Sequence, residues 1–361
     1  MLLIIFGAGA SYDSAPRLRP RAEEGNDGWR PPLANDLFAD RPTFRELLTN
    51  FPRVLPLAAR LGQASDEHPL ERMLSDLRDE ADEYASRHSE LAAVRYYLQG
   101  LIWECERRWL EQIQAVTNYL ALLDRIERRR RGVANSVVYV TFNYDRLFEY
   151  AATFYLSDGE QIYQNRFDTL RTYTDNSRFP LVKVHGSIDW GYRVNTRLPI
   201  VSESNGHVWK IAYEVIRVFP SLDISNEVEK IVERPPQPKA GFAYIPAIAI
   251  PLDTKSDFVC PDSHLTFLKA CLANVRSILI IGWQGMEAQF CEMLKAHLPA
   301  DVSILAVCGE VAAGEQTIET LRGHGIGDSY APTAGGFSEF VVGHEVDGFL
   351  EHAFKDGSAA A

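Results

Sequence analysis

Apolar positions along the chain follow two patterns. Short unbroken or nearly unbroken runs stand at Leu2–Phe6, 136–142, 181–184, 247–250, 277–281 and 302–307. Most of these runs close on glycine, proline or a polar cluster. Segments of this length and ending read as strands buried on both faces, as in a parallel sheet. From 43 to 132 the spacing changes to that of helices. Leu91, Val94, Leu98, Leu101, Cys105 and Trp109 recur at helical intervals, as do Ile113, Val116, Leu120, Leu123 and Ile126. Such stripes are packing surfaces. Tyr96, Tyr97, Trp103 and Trp109 are read as core first and as a subunit interface second. Further helices are expected over 146–155, 262–273, 283–297, 311–322 and 346–354.

Strands alternating with helices predict an α/β fold built on a Rossmann-like, doubly wound parallel sheet. The expected organisation is one domain, 1–361. Its sheet core comes from 1–42 and 133–361, and 43–132 forms an inserted helical subdomain. Residues 12–40 read as a long loop that could fold over a ligand, with an ordered end near Arg30–Phe38. Residues 191–243 carry little pattern, Pro235, Pro236 and Pro238 mark a stiff loop, and 355–361 reads as a frayed tail. No internal repeat is visible.

The strand ends carry the candidate chemistry. Leu2–Phe6 runs into Gly7-Ala8-Gly9-Ala10-Ser11. Glycines there let the backbone turn sharply and approach a ligand, and the following N–H groups can face a phosphate. The third glycine of the dinucleotide fingerprint is missing, and no acidic residue ends a second strand about 20 residues on, which disfavours an ordinary dehydrogenase. A plain tight turn is the alternative. Three later strand ends also carry polar or glycine-rich groups: Asn143-Tyr144-Asp145, His185-Gly186 and Gly282-Trp283-Gln284. Parallel neighbours would align these ends along one sheet edge, where open α/β sheets bind ligands. Asn143 could instead cap the helix that follows it, and His185 could be structural. Asp189, His207, His264 and Cys260 have no partner visible in the sequence and read as structural.

Composition narrows the picture. The 361 residues are 46% hydrophobic and 24% charged, the balance of a globular protein. A formal net charge of −12 argues against broad nucleic-acid binding. Arg128–Arg131 before Gly132 reads as a helix stop. The five cysteines, at 105, 260, 271, 291 and 308, form no CxxC pair. That excludes a four-cysteine zinc site, and no metal is expected. The scattered thiols, the absence of a basic n-region and the lack of a bilayer-length apolar run lead to the expectation of a cytoplasmic protein.

Gly-Ala-Gly-Ala-Ser, Thr-Phe-Asn-Tyr-Asp, Val-His-Gly-Ser and Ile-Gly-Trp-Gln occur in the order of the sirtuin NAD-binding motifs. The sequence resembles a sirtuin-like domain of the bacterial antiphage-defence type, over the sheet core at both ends of the chain and outside 43–132 and 191–243. The resemblance implies NAD+ as substrate. Gly7, Ala8, Gly9, Ala10 and Ser11 would lie against its pyrophosphate. Asn143 would orient the nicotinamide ribose or an attacking water, and Asp145 the carboxamide. His185, followed by Gly186, would act as a base at the ribose hydroxyls. Gly282, Trp283 and Gln284 would line the adenosine side. Protein-deacylating sirtuins carry a four-cysteine zinc module that this chain lacks, so water becomes the implied acceptor and NAD+ hydrolysis the implied reaction. Such a domain implies an NAD-depleting, abortive-infection effector. It would be a homo-oligomer held in check by a HerA-like ATPase or an Argonaute-type partner, with 43–132 as the candidate interface. A non-catalytic NAD- or ADP-ribose-binding module and an NAD-dependent deacylase are the alternatives.

Overall fold

The computed structural model of the chain describes residues 1–16, 26–65, 69–81, 84–130, 136–156, 167–198, 208–231, 242–250 and 258–355. The chain divides into two compact units. The first comprises Met1–Arg21, Leu110–Val184 and Cys260–Ala361, and the second Ala22–Trp109 and His185–Val259. The helical stretch 43–132 is therefore shared between them.

The first unit is a six-stranded sheet with helices. Its strands are β1 (Leu2–Phe6), β2 (Val137–Thr141), β3 (Leu181–Lys183), β7 (Ser277–Ile281), β8 (Ser303–Val307) and β9 (Ser329–Thr333), in the order β3-β2-β1-β7-β8-β9. Every neighbouring pair is parallel. The order steps outward from β1 to one edge and from β7 to the other. With right-handed crossovers this is a doubly wound α/β sheet, and its switch point lies between β1 and β7. Strands β1, β2 and β7 are buried throughout, as their apolar runs require.

The register matters for function. Phe6 stands opposite both Thr141 and Ile281, so three strands end level. The ladder continues one residue further. Phe142 N donates to Phe6 O at 2.9 Å and Gly7 N to Ile281 O at 3.0 Å. The next residues, Gly7, Phe142 and Gly282, therefore share one edge.

The helix Asn118–Arg130 packs against this sheet through Tyr119, whose ring meets Phe6 edge-on at 5.0 Å and Phe337 at 5.3 Å. The buried stripe of this helix is Tyr119, Leu122, Leu123 and Ile126. Val116, expected in that stripe, is 51% exposed. It sits in a turn where Gln114 and Ala115 adopt left-handed backbone conformations, with φ of 53° and 58°. That turn separates the 28-residue helix Ala85–Gln112 from Asn118–Arg130. The helix expected to open at Trp283 begins instead at Ala288. Gly282 and Gly285, with φ of +65° and +75°, keep the intervening segment out of the helical region.

The second unit contains an antiparallel three-stranded sheet, ordered β5-β4-β6, from β4 (Gly186–Val194), β5 (Ile224–Lys230) and β6 (Tyr244–Ile248). It fills part of the stretch that carried little sequence pattern. The helix Val208–Val218 lies there too. The N-terminal part of Ala85–Gln112 is tied to this sheet by Tyr96 OH, which donates to Tyr244 O at 2.6 Å, and by Gln99 Nε2, which donates to Ile188 O at 2.7 Å. Tyr96, Tyr97 and Trp109 are fully buried, as a core role requires, and Trp103 is half-buried. Asp189 pairs with Lys230 at 2.5 Å. The prolines at 235, 236 and 238, His207, residues 17–25 of the long loop and residues 356–361 of the tail lie outside the described residues.

His264, in the helix Asp262–Leu272, is buried in the first unit. Its Nε2 lies 2.8 Å from Leu170 O. A carbonyl only accepts, so Nε2 carries the proton. Burial holds the imidazole pKa below its ordinary value, against the opposing pull of that hydrogen bond. The folded state thus refuses a proton that the unfolded chain accepts below about pH 6.5. His264 contributes stability above that pH, and the contribution falls away as the pH drops from about 6.5 towards the folded-state pKa. Urea unfolding across this interval should show a shallower acid-side loss in His264→Gln than in the wild type. Equal slopes would contradict the assignment.

Candidate functional site

The level strand ends of the first unit place the Gly7 turn, Asn143–Asp145 and Gly282 side by side at the switch point. Ala8–Tyr12 forms a short helix, α1, with Gly7 at its N-cap. The glycines have a specific packing reason. A Cβ on Gly7 would stand 2.4 Å from Gly282 O, and one on Gly9 2.8 Å from Gly282 Cα. Gly9 N donates to Gly282 O at 3.1 Å. The close approach that these glycines permit is thus to the backbone of residue 282. The turn's N–H groups are largely occupied, since Gly7 N bonds Ile281 O and Ala10 N bonds Gly7 O. Ala8, which is half-buried and opens α1, has an N–H that makes no bond to a described residue.

Asn143 is 7% exposed. Its Nδ2 donates to Gly7 O at 2.8 Å and lies 2.9 Å from Ser11 Oγ and 3.3 Å from Tyr119 OH. The carbonyl partner fixes which end of the amide is nitrogen. One hydrogen serves Gly7 and the other is shared between the two hydroxyls. Oδ1 is left with no donor among the described residues. Backbone N of Asn143 bonds Thr141 Oγ1 at 3.1 Å.

Asp145 caps the next helix. Its Oδ1 accepts from Leu147 N at 3.1 Å, at the start of Leu147–Leu156, and its Oδ2 accepts from Ser11 Oγ at 2.6 Å. The capping role weighed for Asn143 therefore falls to Asp145, whose carboxylate suits a helix N-terminus.

Beneath this turn lies a buried ion pair. Lys183, at the carboxyl end of β3 and 0% exposed, pairs with Glu149 at 2.9 Å and donates to Asp145 O. Tyr173 OH also donates to Glu149 Oε1, at 3.2 Å. Removing one partner of such a pair leaves a buried charge uncompensated, which costs about 3–5 kcal/mol. Sequence reasoning missed Lys183, Glu149 and Tyr119. Lys183 had a visible signal, a lysine inside an apolar strand. The other two become legible only through contacts distant in sequence.

Trp283 is 3% exposed. Its ring stacks on Phe142 at 5.1 Å and 5°, and its Nε1 donates to Glu287 Oε2 at 2.6 Å. The indole is occupied in packing, whereas Gln284 beside it is exposed. Among the described residues no group of three or more His, Cys, Asp or Glu could hold a metal ion. Cys260 and Cys291 are each pushed up to about 12, chiefly by burial, so neither is a poised thiolate.

Residues 137–211 match the model of the SIR2-like domain. That segment is SIR2-like in sequence. The matched stretch contains Asn143, Asp145, His185 and Gly186. No curated protein matches the chain. Among solved structures, a Sir2 homologue in complex with NAD is similar at 13% identity and a TM-score of 0.40, covering 98% of this chain and 90% of the other. A variant Sir2 homologue bound to ADP-ribose is similar at 14% identity and a TM-score of 0.40, covering 100% and 94%.

His185 belongs to the second unit and Asn143 to the first. His185 is 7% exposed, and its carbonyl accepts from Ala249 N at 2.9 Å. Gly186 follows with φ +80°, and a Cβ there would lie 2.0 Å from Ala247 O. The glycine of the His-Gly pair is thus demanded by backbone geometry. No helix among the described residues is long and apolar enough to cross a membrane.

Gly282 offers a direct test of the turn. Its φ is +65°, and a Cβ would stand 2.5 Å from both Gly9 Cα and Ala10 N. Gly282→Ala should lower stability by at least about 2 kcal/mol, from strain and overpacking together. The urea midpoint reports this, and an unchanged midpoint would mean that the turn has room to spare.

Proposed function

We propose that this sirtuin-like domain hydrolyses NAD+ at the nicotinamide–ribose bond, giving nicotinamide and ADP-ribose. The observation that carries the reading is the state of Asn143. Its amide nitrogen is held by the Gly7 turn and the hydroxyls of Ser11 and Tyr119, while Oδ1 has no donor among the described residues. An oriented acceptor at the switch-point edge can hold a water or a ribose hydroxyl in place.

The reaction asks little covalent chemistry of the protein. As the C–N bond breaks, the ribose gains oxocarbenium character and nicotinamide leaves as a neutral pyridine. Water adds to the anomeric carbon and loses a proton. In this reading Asn143 orients the water or the sugar, and His185 accepts the proton. The Gly7–Ser11 turn, through the Ala8 N–H, faces the diphosphate, and Asp145 and Gly186 shape the nicotinamide and ribose surroundings. Gly282 and Gln284 border the adenosine side. Burial of the Trp283 indole leaves that residue its backbone for this role. The lack of paired cysteines in the sequence favours water over an acyl-lysine acceptor.

The biological role that fits such an activity is depletion of NAD in an infected cell. Unregulated hydrolysis would be toxic, so assembly into a homo-oligomer or control by a HerA-like ATPase or an Argonaute-type partner belongs to the same proposal. Residues 43–132 are the candidate contact region, and the cytoplasm is the expected compartment.

Nicotinamide release should be measurable with the wild type and fall by about 10²-fold or more in Asn143→Ala and in His185→Ala. Equal rates in all three would remove the assignment. Tight NAD binding without turnover would instead indicate a sensing module, and product formation only with an acyl-lysine peptide a deacylase.

A further inference from the structure

We infer that Tyr119, on the helix Asn118–Arg130, is a positioning residue that fixes the amide of Asn143 from outside the recognised motifs; its kinetic consequence rests on the hydrolysis reading above. The argument starts from proton counting. Ser11 Oγ has one hydrogen, and it goes to Asp145 Oδ2 at 2.6 Å. At the 3.1 Å contact between Ser11 Oγ and Tyr119 OH, the donor must therefore be the tyrosine. The phenol holds its proton firmly. Burial, with Asp145 adding to it, keeps its pKa well above the ordinary value. Having donated to Ser11, Tyr119 OH is left as an acceptor, and Asn143 Nδ2 stands 3.3 Å away. The resulting chain runs Asn143 to Tyr119 to Ser11 to Asp145, each link with a defined direction.

The consequence for Asn143 is orientational. Its first hydrogen is set by Gly7 O, and its second points into the Ser11–Tyr119 pair. Together these place Oδ1 away from the turn. Without the phenol oxygen the second hydrogen keeps only Ser11 Oγ. Ser11 loses one of its two donors and keeps its own bond to Asp145.

The surroundings hold Tyr119 in place. It is 2% exposed and wedged between Phe6 and Phe337. The preceding residue, Asn118, ties down the segment just after α1. Its backbone N donates to Ser14 O at 2.6 Å, and its Nδ2 donates to Asp13 O at 2.6 Å and Ala15 O at 3.1 Å. Asp13 accepts from Ser338 N at 2.8 Å and from Ser338 Oγ at 2.5 Å. Two adjacent residues at the start of one helix thus grip both the glycine-turn network and the chain leaving it.

Tyr119→Phe keeps the ring and removes only the hydroxyl. The variant should unfold cooperatively, with kcat for nicotinamide release reduced about tenfold and KM within about twofold of wild type. In ¹⁵N-labelled protein, the side-chain amide signals of Asn143, identified by their loss in Asn143→Ala, should shift and exchange faster with water. A variant with wild-type kcat in an active protein overturns the inference, as does one whose only change is lower stability. Asn143 amide signals that do not move also overturn it. If the wild type releases no nicotinamide, the hydrolysis reading falls separately, and the Asn143 signals then decide this inference.

Discussion

Everything at the sheet edge depends on how closely the turn after β1 lies against the end of β7. Residues 7, 9 and 282 meet backbone to backbone, at distances that no Cβ could share. The contact locks the level ends of β1 and β7 and brings the N-cap of α1 to the switch point. With Gly7 fixed, its carbonyl becomes a stationary acceptor, and Asn143 on the other neighbouring strand is oriented by it. A backbone packing constraint thereby becomes a side-chain geometry.

That geometry is embedded in buried polar groups whose desolvation is offset only by nearly complete pairing. Ser11, Asn143, Asp145 and Tyr119 hydrogen-bond to one another, and Asp145 also caps Leu147–Leu156. Below them the Lys183–Glu149 pair braces the Asp145 carbonyl. One atom of this set, Glu149 Oε2, is buried with no hydrogen-bond partner among the described residues. A network this interlocked tolerates single substitutions poorly. Among the described residues, Asn143 Oδ1 and the Ala8 N–H make no hydrogen bond. The glycines of the first motif turn out to serve packing first, and any diphosphate contact made there comes through what packing leaves open.

The second unit shows the same economy of backbone. β4 starts at Gly186 because a positive φ and the nearness of Ala247 O exclude any side chain, and His185 is carried by that turn. The chain passes between the units at Val184–His185. Asn143 and His185 therefore belong to different compact units, although the motif order runs through both.

Much of the sheet was legible in the sequence. Unbroken apolar runs such as Leu2–Phe6 and Ser277–Ile281 suit strands buried on both faces, as in a parallel α/β sheet, and both are buried throughout. Gly7, Gly9 and Gly186 were legible too, since each stands where the backbone leaves no room for a Cβ, whereas Asn143, Asp145 and His185 were picked out by motif order alone. Strands β5 and β9 were not legible, because they are largely exposed or half-exposed and mixed in polarity, so their pairing depends on partners distant in sequence. Tertiary structure alone decided that Asp145 rather than Asn143 caps the helix, that Trp283 packs on Phe142, and that Tyr119 and Lys183 bond to Asn143 and Asp145 respectively. Sequence records which groups a residue carries and how often apolar positions recur. Which donor meets which acceptor is settled only when strand register brings residues more than a hundred positions apart within hydrogen-bonding distance.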